Sequence, residues 1–344
     1  MILAALPEPS PFGDVLMAFL SILFEGAPYI MIGTLLSGLI DAFLPAKLLE
    51  RVLPKNKVLS TLMAGFLGLI FPVCECAVVP VIRRLVKKGL PLSCALSYML
   101  SAPIMNPIVA VSTLTAFKEF EKVTGWATIG NATMTISRLA LGYLVAVTIG
   151  LIVLRFKPAQ VLKSSVAQDI EDSAAENAHG HAPKASFNAR LVHAFRTAMG
   201  DFLDTGMYFT IGVIITSVFN TQVDQSLLDS VAGNELAAIP SIMGLAFVLS
   251  LCSTSDAFIA APMASFSMAA KLAFLVFGPM MDIKLMFMYA AVFKRRMVIA
   301  MLLGTFILIA LLSGPMMLFV TDPQTFPEKF WELITAPFAA SPSK

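Results

Sequence analysis

Cys74 and Cys76, with Glu75 between them, are the residues of this chain whose types and spacing most suggest chemistry. Thiolates favour soft centres, so two thiols one residue apart on irregular backbone could converge on one soft ion. Cys252 offers a third sulfur far along the chain, which makes Cys74, Cys76 and Cys252 the candidate metal or metalloid ligands. The competing reading treats cysteine as a small hydrophobe, and that reading suits Cys94, near the start of an apolar segment.

A second group consists of ionisable residues inside apolar segments: Glu25, Glu75, Arg138, Asp204, Asp256, Asp282 and Lys284. Each costs about 2.5–3.5 kcal/mol to place at a bilayer centre, so each needs a partner or a function. Arg138 and Lys284 read as charge pairs, Lys284 with Asp282 or another neighbour. Glu75 and Asp256, with Asn106, Cys252, Ser253, Ser255 and Asp282, read as a polar substrate site. Glu25 and Asp204 suit either proton coupling or helix fixing. His179 and His181 read as solvated linker residues and His193 as interfacial. No phosphate-binding loop, Ser-His-Asp pattern or His-Glu-x-x-His occurs, so an ATPase or protease is not expected.

The elements that must position these residues are long and apolar. Of 344 residues, 58% are hydrophobic and 13% charged, and the mean hydropathy is +0.83. Soluble domains carry about 25% charged residues. Apolar runs near the length that spans a bilayer fall at 12–44, 58–82, 90–116, 125–154, 198–220, 236–264, 267–292 and 297–320. A net charge of +2 gives no reason to expect nucleic acid, and four cysteines make no disulfide framework. Met1–Asp14 lacks a basic region and contains Pro7, Pro9 and Pro11, unlike a cleavable signal. A polar stretch reads as a flexible linker over 155–196, between membrane repeats at 1–154 and 197–322, with a tail at 323–344.

The two halves repeat. Glu25-x3-Tyr29-x3-Gly33 matches Asp204-x3-Tyr208-x3-Gly212, Cys74-Glu-Cys76-Ala matches Cys252-Ser-Thr-Ser-Asp256-Ala, and Pro103-Ile-Met-Asn106 matches Pro279-Met-Met-Asp282. The offsets are 179, 178 and 176 residues, in one order. Lys and Arg concentrate on cytoplasmic loops. If every run crossed the membrane, the clusters at 47–57 and 83–88 would fall on opposite sides. The conflict disappears if 58–82 and 236–264 enter and return as hairpins broken at Pro72-Val-Cys-Glu-Cys and Cys-Ser-Thr-Ser-Asp. That predicts an all-α polytopic membrane protein of two inverted repeats, each with three crossings and one re-entrant hairpin. The linker is then cytoplasmic, both termini lie outside, and only Lys271 falls on the wrong side. Eight plain crossings are the alternative. Inverted repeats with broken helices commonly bind substrate near the midplane.

At these motifs the sequence resembles the predicted permease family that includes organoarsenical efflux permeases. The resemblance rests on Pro72-Val-Cys-Glu-Cys-Ala-Val-Val-Pro80, Ser101-Ala-Pro-Ile-Met-Asn-Pro107, Cys252-Ser-Thr-Ser-Asp-Ala-Phe258 and Phe277-Gly-Pro-Met-Met-Asp282. It implies efflux of a thiol-seeking species: a trivalent organoarsenical, or copper or zinc. Many members have serine between the paired cysteines, whereas this chain has Glu75. The added carboxylate favours a cation. The reading is therefore a secondary exporter in a bacterial inner membrane, without a cofactor, with homo-oligomerisation open. A permease for a small sulfur-containing solute is the runner-up, and a membrane thiol redox enzyme is a third reading.

Overall fold

The computed structural model describes residues 11–44, 54, 56–71, 73–124, 130–164, 168, 186–220 and 235–321. Pro72, His179, His181 and the tail from 323 lie outside the described residues, as do the basic residues Lys47, Arg51 and Lys55. The described chain is helical, apart from one isolated antiparallel bridge between Leu162 and Phe293. It forms a multi-pass membrane protein in which, among the described residues, five helical spans, one of them interrupted at Met281 and Asp282, are long and apolar enough to cross a bilayer.

The first half contains α1 (Pro11–Phe43), α2 (Lys57–Gly65), α3 (Leu67–Ile70), α4 (Glu75–Lys87), α5 (Leu92–Ser101), α6 (Pro107–Thr124) and α7 (Gly130–Val153). A single turn of helix, α8 (Pro158–Val161), follows it. The second half contains α9 (Phe187–Asn220), α10 (Glu235–Leu249), α11 (Asp256–Ala260), α12 (Met268–Met280), α13 (Ile283–Val292) and α14 (Arg295–Thr321). Helix α9 begins at Phe187, inside the polar stretch, because Phe187 to Arg196 supplies helix formers that continue into the apolar run.

Both segments expected to break do so. The ladder stops after Ile70 and restarts at Glu75, with Cys74 as an extended N-cap. It stops again after Leu249, where Ser250 has φ of +49°, and restarts at Asp256. Two further breaks differ from the expectation of continuous crossings. Run 90–116 divides into α5 and α6 around Ala102–Asn106, and run 267–292 divides into α12 and α13 at Met281 and Asp282. Asn106 and Asp282 explain the restarts, since their side chains accept from the backbone N–H groups of Ile108 (2.9 Å) and Leu285 (2.6 Å).

Glycine sets the closest helix approaches. α1 and α9 pack against each other along their length and run antiparallel, with Gly26 against Phe209 and Gly38 against the Ala194 carbonyl. A methyl group at Gly33 would lie 2.7 Å from Ala77 Cα, so α1 also rests on α4. A methyl at Gly212 would lie 2.7 Å from Lys284 Cα, so α9 rests on α13. Helices α5, α7, α12 and α14 form the other side, with α7 against α14. The outer face of α14 shows Leu303, Ile307 and Leu311 to the surroundings at i, i+4 and i+8, a stripe suited to lipid.

Candidate functional site

The two broken tips meet. Ser253 donates from its hydroxyl to Glu75 Oε2 at 3.0 Å, joining residues 178 positions apart. Around this contact lies a small cavity of about 20 Å³. Cys74, Glu75 and Cys76 of the first tip, Cys252 of the second and Lys284 of α13 line it. Glu25 and Tyr29 of α1 complete it, both of them exposed, so they form its rim. A cavity needs about 10–15 Å³ to hold one water, so in this conformation the space suits an ion or a water and must widen for a larger solute.

The local backbone explains why the thiols point here. Cys74 caps α4 and Cys76 lies in its first turn, so both sit where the helix has not yet closed its ladder. Glu75, in the same turn, is 1% exposed. A carboxylate at a helix N-terminus is favoured by the macrodipole, and Lys284 adds a formal charge, with Nζ 3.7 Å from Glu75 Oε1. The same ammonium lies 3.5 Å from Asp282 Oδ2 and donates to the Ser250 carbonyl at 2.8 Å. One cation thus ties both breaks of the second half to the tip of the first.

Asp256, at the second tip, is held differently. Arg138 of α7 donates to its two carboxylate oxygens at 3.0 and 2.6 Å, to Thr113 Oγ1 at 2.7 Å and to the Ser253 carbonyl at 3.1 Å. Both residues are almost fully buried. Ser112 adds a hydrogen bond from α6 to the Thr254 carbonyl. The pairings expected for Arg138 and Lys284 are therefore present, and Asp256 is engaged by its partner rather than aimed into the cavity.

Other candidates occupy varied places. Ser255 donates to the Cys252 carbonyl at 3.1 Å, closing the tip on itself. Cys252 Sγ lies 3.4 Å from Thr254 Oγ1. Asn106 and Asp282 act as caps and do not line the cavity, although Asp282 reaches it through Lys284. Asp204 does not line it either: its side chain is 63% exposed and lies 3.3 Å from Arg83. Repeat mates need not share an environment, and Glu25 at the rim shows the difference. Cys94 is buried between α2 and α5, within 4.0 Å of Thr61 and Ser93 hydroxyls, remote from the site. His193 lies 3.2 Å from Asp41. Among the described residues, no group of three His, Cys, Asp or Glu is gathered closely enough to hold a metal ion. The three thiols share a cavity without forming a ready ligand set.

One network was not foreseen. Asp201, 3% exposed, takes 3.0 and 2.7 Å bonds from Arg84 and a 2.8 Å bond from Ser37. Arg84 and Lys88 also approach Asp41 at 3.7 Å each. The sequence signal was the basic run Arg83–Lys88 itself, read as a topology marker rather than as a set of partners.

Comparison with known proteins shows the family. The "predicted permease" family matches residues 12–319. UPF0718 protein YcgR of Bacillus subtilis (strain 168) is 38% identical over 311 residues, covering 90% of this chain and 98% of that protein. A putative two-component membrane permease complex subunit of Streptococcus mutans is 34% identical over 293 residues, covering 85% and 91%. No solved structure matches the chain. With its membrane-length helices and a match across nearly its whole length, the chain belongs to the predicted permease family of membrane transporters.

Proposed function

We propose that the chain is a secondary permease that exports a thiol-seeking metalloid or soft metal species, a trivalent organoarsenical or copper or zinc, through the cavity between two inverted repeats. The observation that carries this reading is the convergence of Cys74, Cys76 and Cys252 on one cavity that also contains Glu75 and Lys284. A dihydroxy organoarsenical would condense with two thiols, forming two As–S bonds and releasing two waters that take up the thiol protons. A metal cation would instead displace those protons. Glu75, and Asp282 through Lys284, would compensate its charge, and Glu25 at the rim would exchange protons with water. In this arrangement the protein lies in a bacterial cell membrane with the basic ends of α4 and α13 cytoplasmic. Helices α4 and α13 then fill the cytoplasmic half of the site, α6 and α11 the outer half, and both termini lie outside.

Uptake into inverted vesicles, measured for phenylarsine oxide, Cu(I) and Zn(II), tests the reading. Cys74→Ser and Cys76→Ser should each lower uptake at least 10-fold, while Cys94→Ser leaves it unchanged. Uptake indifferent to both changes at the tip would remove the thiol-ligand role. A second reading, transport of a small sulfur-containing solute, is favoured by the lack of a three-ligand group among the described residues. A substrate panel in the same vesicles separates the two. Thiol labelling during turnover would expose a redox reaction at Cys74 and Cys76.

A further inference from the structure

The repeat-related glycines Gly33 and Gly212, 179 residues apart, press on partners that are not related by the repeat. Gly33 meets Ala77 in α4, whereas Gly212 meets Lys284 in α13. Lys284 stands two residues after the cap Asp282, and its mate, two residues after the cap Asn106, is Ile108. The mate of Ala77, which follows the first polar tip, is Ala257. A symmetric molecule would also press Gly33 on Ile108 and Gly212 on the α11 tip. Instead α1 and α9 pack on α4 and α13, and neither packs extensively on α6 or α11. The face they leave is apolar and uncovered: Ile108 and Val111 are each 62% exposed and Phe258 is 50% exposed.

We infer that α1 and α9 form a unit that swings between two docking sites related by the repeat, and that the structure is the state closed towards the cytoplasm. This rests on the inverted-repeat permease reading above. In the present state the pair covers the cytoplasmic half of the site. The cavity rim at Glu25 is exposed. In the other state Gly33 approaches Ile108, the α6–α11 face is covered, and Asp204 takes the rim position that Glu25 holds now. The Arg83–Asp204 contact at 3.3 Å must open for that exchange.

The two states are not equally braced. Asp201 and Asp41 join Arg84 and Lys88 only while the pair is docked on α4. The repeat mates of Asp201 and Asp41 are Ile22 and Asn220, which carry no charge. The other state therefore has no equivalent of these ion pairs. The transporter therefore rests with its cytoplasmic side shut, and the Arg84–Asp201 pair is the latch.

Distance measurement between spin labels on non-thiol unnatural side chains tests this with every native cysteine in place. Labels at Ile32 and Val111 report the approach of α1 to α6, and labels at Val192 and Arg296 report the separation of α9 from the start of α14, which follows α13 directly. The full-length protein in lipid nanodiscs should show one long outer distance and one short cytoplasmic distance. Arg84→Gln and Asp201→Asn should each add a shorter outer population and a longer cytoplasmic one, and Arg84→Lys should largely restore the original distribution. Outer distances unchanged in both variants, and unchanged with phenylarsine oxide or Zn(II), overturn the swing. Vesicle uptake on the same variants separates the failures. Fixed distances with intact thiol-dependent uptake reject the swing and leave the permease reading standing. Shifting distances without uptake support the swing and reject the substrate class. Fixed distances without uptake reject both.

Discussion

At the first broken tip, Glu75 meets its cation at 3.7 Å and its hydroxyl partner at 3.0 Å, beside two thiols. At the second, Asp256 takes two guanidinium bonds at 2.6 and 3.0 Å, and the cysteine of that tip is the one sulfur it offers the cavity. The first tip is also gripped from outside by Gly33 on Ala77, while the second is gripped from inside by Arg138. Matched positions in a repeat are thus used for different ends. One tip exposes its polar groups to a cavity with its charge loosely compensated, and the other spends its charge on anchoring the backbone that faces it. A site that must release its cargo benefits from this division, because the anchored side holds its shape while the looser side changes partners.

The sharpest way to break the comparison is to remove the anchor. Asp256→Ala leaves Arg138 buried without its counter-ion, which costs about 3–5 kcal/mol. Thermal unfolding in detergent should show the loss, and the double change Arg138→Met with Asp256→Leu should recover most of it. Equal damage from Glu75→Ala would erase the distinction between the tips. Next in size, Gly33→Ala and Gly212→Ala force a methyl within 2.7 Å of a backbone atom, and overpacking of this kind costs about 1–3 kcal/mol. Gly206→Ala, where nothing lies within 4 Å, should stabilise the helix by about 0.5–1 kcal/mol. A similarly small stability effect belongs to Glu75→Gln, which keeps the shape and a hydrogen-bond acceptor for Ser253. It should shift stability by about 1 kcal/mol, yet lower metal-ion uptake at least 10-fold while sparing a neutral arsenical. A variant that loses both substrates equally would assign Glu75 an anchoring role like that of Asp256.

The two tips and their meeting were legible because proline, cysteine and short polar residues interrupt an otherwise apolar run, and because the interruptions recur in register. Arg138 and Lys284 were legible as paired charges, since a lone charge in lipid is too costly to stand. The breaks at Ala102–Asn106 and Met281–Asp282 were not, although Pro103 with Asn106 and Pro279 with Asp282 carry the signal of a stop and a fresh cap. Apolar composition measures affinity for lipid and is blind to whether the hydrogen-bond ladder continues. For Asp204 the sequence left proton coupling and helix fixing open, because symmetry in sequence states which residues correspond and not what each touches; its contact with Arg83 at 3.3 Å is of the second kind. Lys271, apparently on the wrong side, is 2% exposed and donates to the Ala261 carbonyl at 2.9 Å, so it satisfies the end of α11 instead of marking a loop.

The contact between Ser253 and Glu75 also sets a clock. The hydroxyl that binds Glu75 is synthesised 178 residues after it, a delay of roughly 10–35 s at ribosomal rates of about 5–20 residues per second. Lys284 emerges later still. For that interval the first tip has no counter-ion at all, and a lone carboxylate does not settle in hydrocarbon. The first hairpin must wait at the membrane surface, or enter with Glu75 protonated, until the second half arrives. Assembly of the site then waits on the second half of the chain, and a ribosome stalled before residue 250 would leave Cys74, Glu75 and Cys76 without the partners that half supplies.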